Sequence, residues 1–221
     1  MNESKPVLAI ETSQSLCSVC VYFSDEIFYE MNINLKNSHA EKLFEATDFV
    51  LKSSGVNAKD LDAIAVSAGP GSFTGLRIGM SAAKGLAFGA KLPIVSVPTF
   101  EAMALQIANY LKCDSDFFIA NKVNVEELYF AKFQVKRNSY IFAENLGIIK
   151  RDEFGKRIKN TLTFGNVFPL DGKIKNLSAP NSSFIAKWCN LFGEKLKVYD
   201  YDFLEPNYLK NFVVKERKKN D

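Results

Sequence analysis

Apolar and polar residues change rhythm several times along the chain, and the changes mark its elements. Val7 to Ser13, Leu16 to Phe23 and Glu26 to Leu35 are runs of strand length joined only by Gln14-Ser15 and Ser24-Asp25, which predicts three strands in an antiparallel meander. Ser38-His39-Ala40-Glu41 then fits the S-x-x-E capping box, and Leu43, Phe44, Thr47, Val50 and Leu51 recur at helical spacing up to a stop at Gly55. A continuous apolar strand from Ala63 to Val66, a glycine-rich turn, a helix from about Phe73 to Ala90 and a strand from Ile94 to Val97 complete a β-β-β-α-β-α-β series. From about residue 105 the series restarts. Strands near Phe117 to Ala120, Glu127 to Val135 and Tyr140 to Ile149 precede a shorter helix, a strand from Thr161 to Phe164 and a helix from Asn181 to Phe192. The repetition predicts a duplicated α/β architecture in two closely apposed lobes, residues 1–104 and 105–204, with the segment from about 205 to 221 packing back on the first.

With 221 residues, of which 47% are hydrophobic and 24% charged, the chain can build a sizeable core, and disorder or collagen-like repeats are excluded. No apolar run approaches the ~18 residues of a membrane span, and the opening Met1 to Pro6 leads into a strand instead of a signal-peptide core, so a cytoplasmic protein away from membranes is expected. The net charge of +3 is too small to imply nucleic acid. Its distribution is uneven: residues 1–104 carry 8 basic and 11 acidic side chains, residues 105–221 carry 20 and 14. The basic half fits either a solvated surface or an acidic partner such as RNA. Cys17 and Cys20 match C-x-x-C but fall in a strand-like run, where residues three apart face opposite sides, so they read as buried structural cysteines.

Ala68 to Arg77 (Ala-Gly-Pro-Gly-Ser-Phe-Thr-Gly-Leu-Arg) joins a buried strand to a helix start. It lacks the lysine of a P-loop and the spacing of a dinucleotide fingerprint, which leaves a tight structural turn or a weak phosphate cradle built on Gly69, Gly71 and Ser72. Glu11-Thr12-Ser13 closes the first strand, where a carboxylate with the Thr12 and Ser13 hydroxyls could meet a metal-bound phosphate. His39 is the only histidine, so no two-histidine metal site exists, and no G-x-S-x-G elbow supplies a serine nucleophile.

The helix after the glycine turn has two adjoining apolar faces. Leu76, Met80, Ala83, Ala87 and Ala90 form one; Gly75, Gly79, Ala82, Leu86 and Gly89 form the other, and with Ile78 and Gly85 the apolar arc spans roughly 220° where a one-sided surface helix needs only about 100°. If the sheet takes the first face, the smooth glycine face is free for a second helix, from this chain's own helix at 38–54 or from another subunit.

Val7 to Ser13, His39-Ala40-Glu41-Lys42-Leu43 and above all Gly69 to Arg77 resemble the TsaB (YeaZ) family of tRNA threonylcarbamoyladenosine biosynthesis. The resemblance is strong up to about residue 104 and thinner afterwards. It implies an actin-like (ASKHA, ribonuclease H-like) duplicated fold of two lobes, each a mixed β-sheet flanked by helices. It also implies a non-catalytic subunit that binds TsaD, with TsaE, and pairs with itself when alone, touching tRNA only through the complex and needing no cofactor beyond ATP or ADP held there. The implied partner surface comprises His39, Leu43, Thr47, Gly75, Gly79, Ala82 and Leu86. TsaD-like proteins carry an H-x-x-x-H metal pair where this chain has Thr99 and Met103, and the second lobe's usual Asp-Ala-Arg is Asn121-Lys122-Val123. These departures count against the alternatives, a stand-alone ATPase or kinase of the actin-like class and a peptidase.

Overall fold

The computed structural model describes residues 5–34, 39–137, 139–158, 161–167 and 174–209. The expected cap at Ser38 and the tail from residue 210 lie outside them, as does the side chain of His39.

Strands β1 (Val7–Glu11), β2 (Leu16–Tyr22) and β3 (Phe28–Asn34) form the meander, helix α1 (His39–Ser54) follows, and β4 (Ala63–Gly69), α2 (Phe73–Ala90), β5 (Ile94–Pro98) and α3 (Thr99–Ala108) complete the first half. The second half runs β6 (Asp116–Lys122), β7 (Glu127–Lys136), β8 (Ser139–Lys150), α4 (Arg151–Ile158), β9 (Leu162–Gly165), β10 (Ile174–Asn176) and α5 (Ser182–Phe192). The first sheet is ordered β3-β2-β1-β4-β5 and the second, read from its far edge, β8-β7-β6-β9-β10. In each, the first three strands are antiparallel and the last two run parallel to the first. This repeated topology is the duplicated actin-like, ribonuclease H-like fold. The halves differ between their fourth and fifth strands: only residues 166–173 separate β9 from β10, too few for a counterpart of the 18-residue α2.

Period-two alternation sorts the first sheet's residues between two cores. Leu8, Ile10, Val19, Val21, Ile64 and Val66 point to the outer face with α1 and α2, whereas Val7, Ala9, Tyr22, Ala63 and Ala65 point inward to α3 and α5. Cys17 joins the outer core and Cys20 the inner one, so the two sulfurs diverge and burial pushes both thiols up, Cys17 to about 11. Helix α3, absent from the expected elements, covers the inner faces of both sheets through Ala102 and Leu105 on one side and Met103, Ala104 and Ile107 on the other.

Helix α5 comes from the second half of the chain yet lies on the first sheet. Its residues Ile185, Ala186, Trp188 and Cys189 pack with Val7, Ala9 and Cys20. Its N-terminus is held by Glu30 of β3, whose Oε1 accepts from the Ser183 amide at 2.7 Å and from Ser182 Oγ at 3.1 Å, and by Ser18, whose Oγ accepts from the Ser182 amide at 3.0 Å. Lys187 pairs with Asp25 at 2.7 Å.

Candidate functional site

The end of β1 and the glycine-rich turn close on one another. The Ser72 amide donates to the Ser13 carbonyl at 2.6 Å, Thr12 Oγ1 donates to the Gly75 carbonyl at 2.7 Å, and the Gly69 amide donates to Thr99 Oγ1 at 3.1 Å. A Cβ on Gly71 would meet Ser13 backbone and side chain, and one on Gly75 or Gly79 would run into Thr12. Gly69, at φ +113°, admits the Asn207 carbonyl so closely that a Cβ would sit 2.8 Å from it. Glycine is therefore needed here for close backbone approach. Ser72 caps α2, its Oγ accepting from the Gly75 amide at 3.3 Å.

This closure bears on two expectations. Thr12 and Ser13 are fully buried and the Gly69 and Ser72 amides are spent within the chain, although Gly71 is half-buried and Ser72 exposed, so Thr12, Ser13, Gly69, Gly71 and Ser72 form a turn closed on β1 where a phosphate cradle had been one of two readings. The smooth face of α2 is not external either. Gly75 and Gly79 rest on Thr12, Ala82 lies in the outer core with Leu43, and Thr47 is buried with its Oγ1 donating to the Leu43 carbonyl. Of the described members of the expected partner-facing set, Leu86 alone is half-buried; the groove is filled by the end of β1 at Gly75 and Gly79 and by α1 beside Ala82.

Beneath the turn, Glu11 is fully buried and accepts from the Ser13 amide. Its Oε2 and Ser13 Oγ have no hydrogen-bond partner among the described residues. Burial raises the Glu11 pKa to about 7, against the lowering effect of the Ser13 hydrogen bond. Thr99 and Met103 are both fully buried, and the Asn121 amide is fully engaged, Nδ2 donating to the Ser178 carbonyl at 2.7 Å and Oδ1 accepting from the Asn166 amide at 3.1 Å. A carboxylate at 121 could not make the first of these bonds.

What the outer helices do present is aromatic. Phe44 and Phe49 on α1 are 56% and 55% exposed and Phe88 on α2 is 78% exposed, while Cβ atoms built on Gly85 and Gly89 meet nothing. The sequence signal was available in Phe88, a large apolar residue four positions beyond Lys84 of the polar wedge.

The profile of TsaD, tRNA N6-adenosine threonylcarbamoyltransferase, matches residues 33–114. The tRNA threonylcarbamoyladenosine biosynthesis protein TsaB of Haemophilus influenzae is 36% identical over 126 residues, 57% of this chain and 52% of that protein, so this match spans about half of the relative's length. TsaB of Escherichia coli is 28% identical over 94% of this chain and 96% of its own. The solved structure of YeaZ from Pseudomonas aeruginosa superposes with a TM-score of 0.77 over 93% of this chain and all of that one, at 20% identity, which establishes the shared fold. Along nearly its whole length the chain resembles TsaB proteins. The glycine turn, the segment most specific to that resemblance, holds α2 against β1. The same turn receives the C-terminal segment: the Asn207 amide donates to the Ala68 carbonyl at 2.7 Å, the Tyr208 ring packs at a tilt against Phe73 with centroids 5.0 Å apart, and Arg77 lies over Phe73 while donating to Tyr208 Oη at 3.3 Å. No helix among the described residues is long and apolar enough to cross a membrane.

Proposed function

We propose that this chain is a non-catalytic subunit in threonylcarbamoyladenosine formation on tRNA, binding TsaD, with TsaE, and pairing with itself when TsaD is absent. The observation that carries the reading is the loss of reactive side chains at the positions where TsaD-like proteins bind metal. Thr99 and Met103 are packed into the interior, and Thr99 Oγ1 already accepts from Gly69. The carboxylate nearest to them in role, Glu11, is enclosed beneath the turn. The partner surface in this reading is the outer side of α1 and α2, where Phe44, Phe49 and Phe88 provide apolar area that a partner would bury. Nucleotide enters only with the assembled complex, and tRNA is met through TsaD. The test is threonylcarbamoyl transfer to tRNA with the purified chain alone, with TsaD and TsaE alone, and with all three. Product is expected only with all three. Transfer by this chain alone would defeat the non-catalytic assignment, and equal transfer without it would defeat the pathway.

A further inference from the structure

A cavity of about 450 Å³ opens between the two halves, away from the closed turn. Its floor is made by the carboxyl ends of the parallel strands β4 and β5, the position at which open α/β sheets receive ligands, and its far wall by β8. The acidic side chains Glu101, on the first turn of α3, and Glu205, on the returning C-terminal segment, both line it, and the described lining holds no lysine, arginine or histidine.

Its hydrogen-bonding capacity is largely unspent. Glu101 Oε2 accepts from Tyr140 Oη at 2.6 Å, but the side chains of Asn145 and Glu205 have no partner among the described residues, and Ser96 Oγ is shut off from solvent with no partner. On the apolar side stand Leu146 and the ring of Phe142, which leans on Phe133 at 4.7 Å and remains 39% exposed. An anion or a neutral ligand would leave both carboxylates of the lining uncompensated, whereas a cation neutralises them and finds an aromatic face beside it.

We propose that this cavity is a binding site for an organic cation, an alkylammonium or guanidinium group carried on an apolar stem that lies along Phe142 and Leu146. The cation sits between Glu101 and Glu205, and the Asn145 side chain takes a remaining donor. Such a group can belong to a free polyamine or to a lysine or arginine side chain of another protein. The chain also carries its own reporter: Trp188, its only tryptophan, donates from Nε1 to Tyr140 Oη at 3.0 Å, and Tyr140 in turn donates to Glu101.

The experiment titrates the full chain with putrescine, spermidine, and the N-acetyl methylamides of lysine and arginine up to about 10 mM, following heat and Trp188 fluorescence. Saturable binding is expected, weakened about tenfold or more by Glu101→Gln and by Glu205→Gln, as for loss of a charge-assisted hydrogen bond. Glu126→Gln removes an exposed acid of the same charge elsewhere and should change nothing. Binding of the free amines assigns the site to a polyamine. Binding confined to the capped amino acids assigns it to a partner's side chain. Absence of saturable binding by all four probes, or equal weakening by Glu126→Gln, overturns the proposal. Glu205 is exposed and has no partner among the described residues, so its variant remains informative even if Glu101→Gln disturbs Tyr140.

Discussion

Glu11 is the residue whose environment departs furthest from water. A carboxyl with a pKa near 7 in the folded chain and about 4.5 when unfolded contributes stability that is complete below pH 4.5 and is lost as the pH rises through 7. The shift corresponds to about 3 kcal/mol across that window. Glu11→Gln removes the titration, so the variant should gain on the wild type between pH 5 and pH 8 by that order. Urea unfolding of both chains at the two pH values reads it, and a stability difference that does not change with pH would mean that Glu11 stays ionised. Gly79 makes the complementary point about space. Its missing side chain is what lets α2 lie on Thr12, so Gly79→Leu overpacks the interior and should cost ~1–3 kcal/mol or more. Gly89→Leu, in open space, should be neutral or stabilising by up to ~1 kcal/mol through helix propensity. Urea midpoints for the pair test this, and equal losses would contradict the packing described.

At the scale of elements, α2 shows how a helix with two apolar faces can be internal along most of both, its last turn excepted. One face covers the sheet and the other is covered by the end of β1 and by α1, which leaves a narrow outer strip around Ser81, Gly85 and Phe88. That strip, with α1, is where a partner-breaking substitution belongs. Phe88→Asp should leave the chain folded, because the ring is largely solvated, and should weaken self-association and TsaD capture by about tenfold or more, as for an apolar anchor. Circular dichroism and sedimentation measure the two halves of the expectation. Undiminished association by the folded variant would place the interface elsewhere.

For the whole molecule, the decisive arrangement is a layer order of α1 and α2, first sheet, α3 and α5, second sheet, α4. Helix α5 ties the second half of the chain to the first sheet, and Glu30 is its anchor, a carboxylate at the positive end of a helix dipole. Glu30→Ala leaves the Ser183 amide and Ser182 hydroxyl without their acceptor, and a loss of about 1–3 kcal/mol follows. Hydrogen exchange should locate it: α5 amides should exchange faster in the variant while those of β6 and β7 stay protected. Uniform acceleration across the chain would indicate a global effect instead.

The order of strands and helices was legible because burial on a pleated or helical surface imposes periods of two and 3.6 on the residues themselves. The opposed directions of Cys17 and Cys20, the start of α2 at Phe73 and its stop at Ala90, and the recurrence of the meander after residue 105 all follow from that local rule. Helix α3 escaped it because Thr99 to Ala108 is buried at every position but Glu101, and a segment packed between two sheets carries little period to read. What lies against the glycine face of α2 was equally unreadable. Spacing shows that a helix is smooth, but only the fold decides whether the neighbour is a turn 63 residues earlier in the chain or another molecule. The same holds for Glu11, Asn121 and the cavity beside Glu101. Their chemistry depends on partners distant in sequence, brought together by the stacking of two sheets, and no local pattern records which of them will meet.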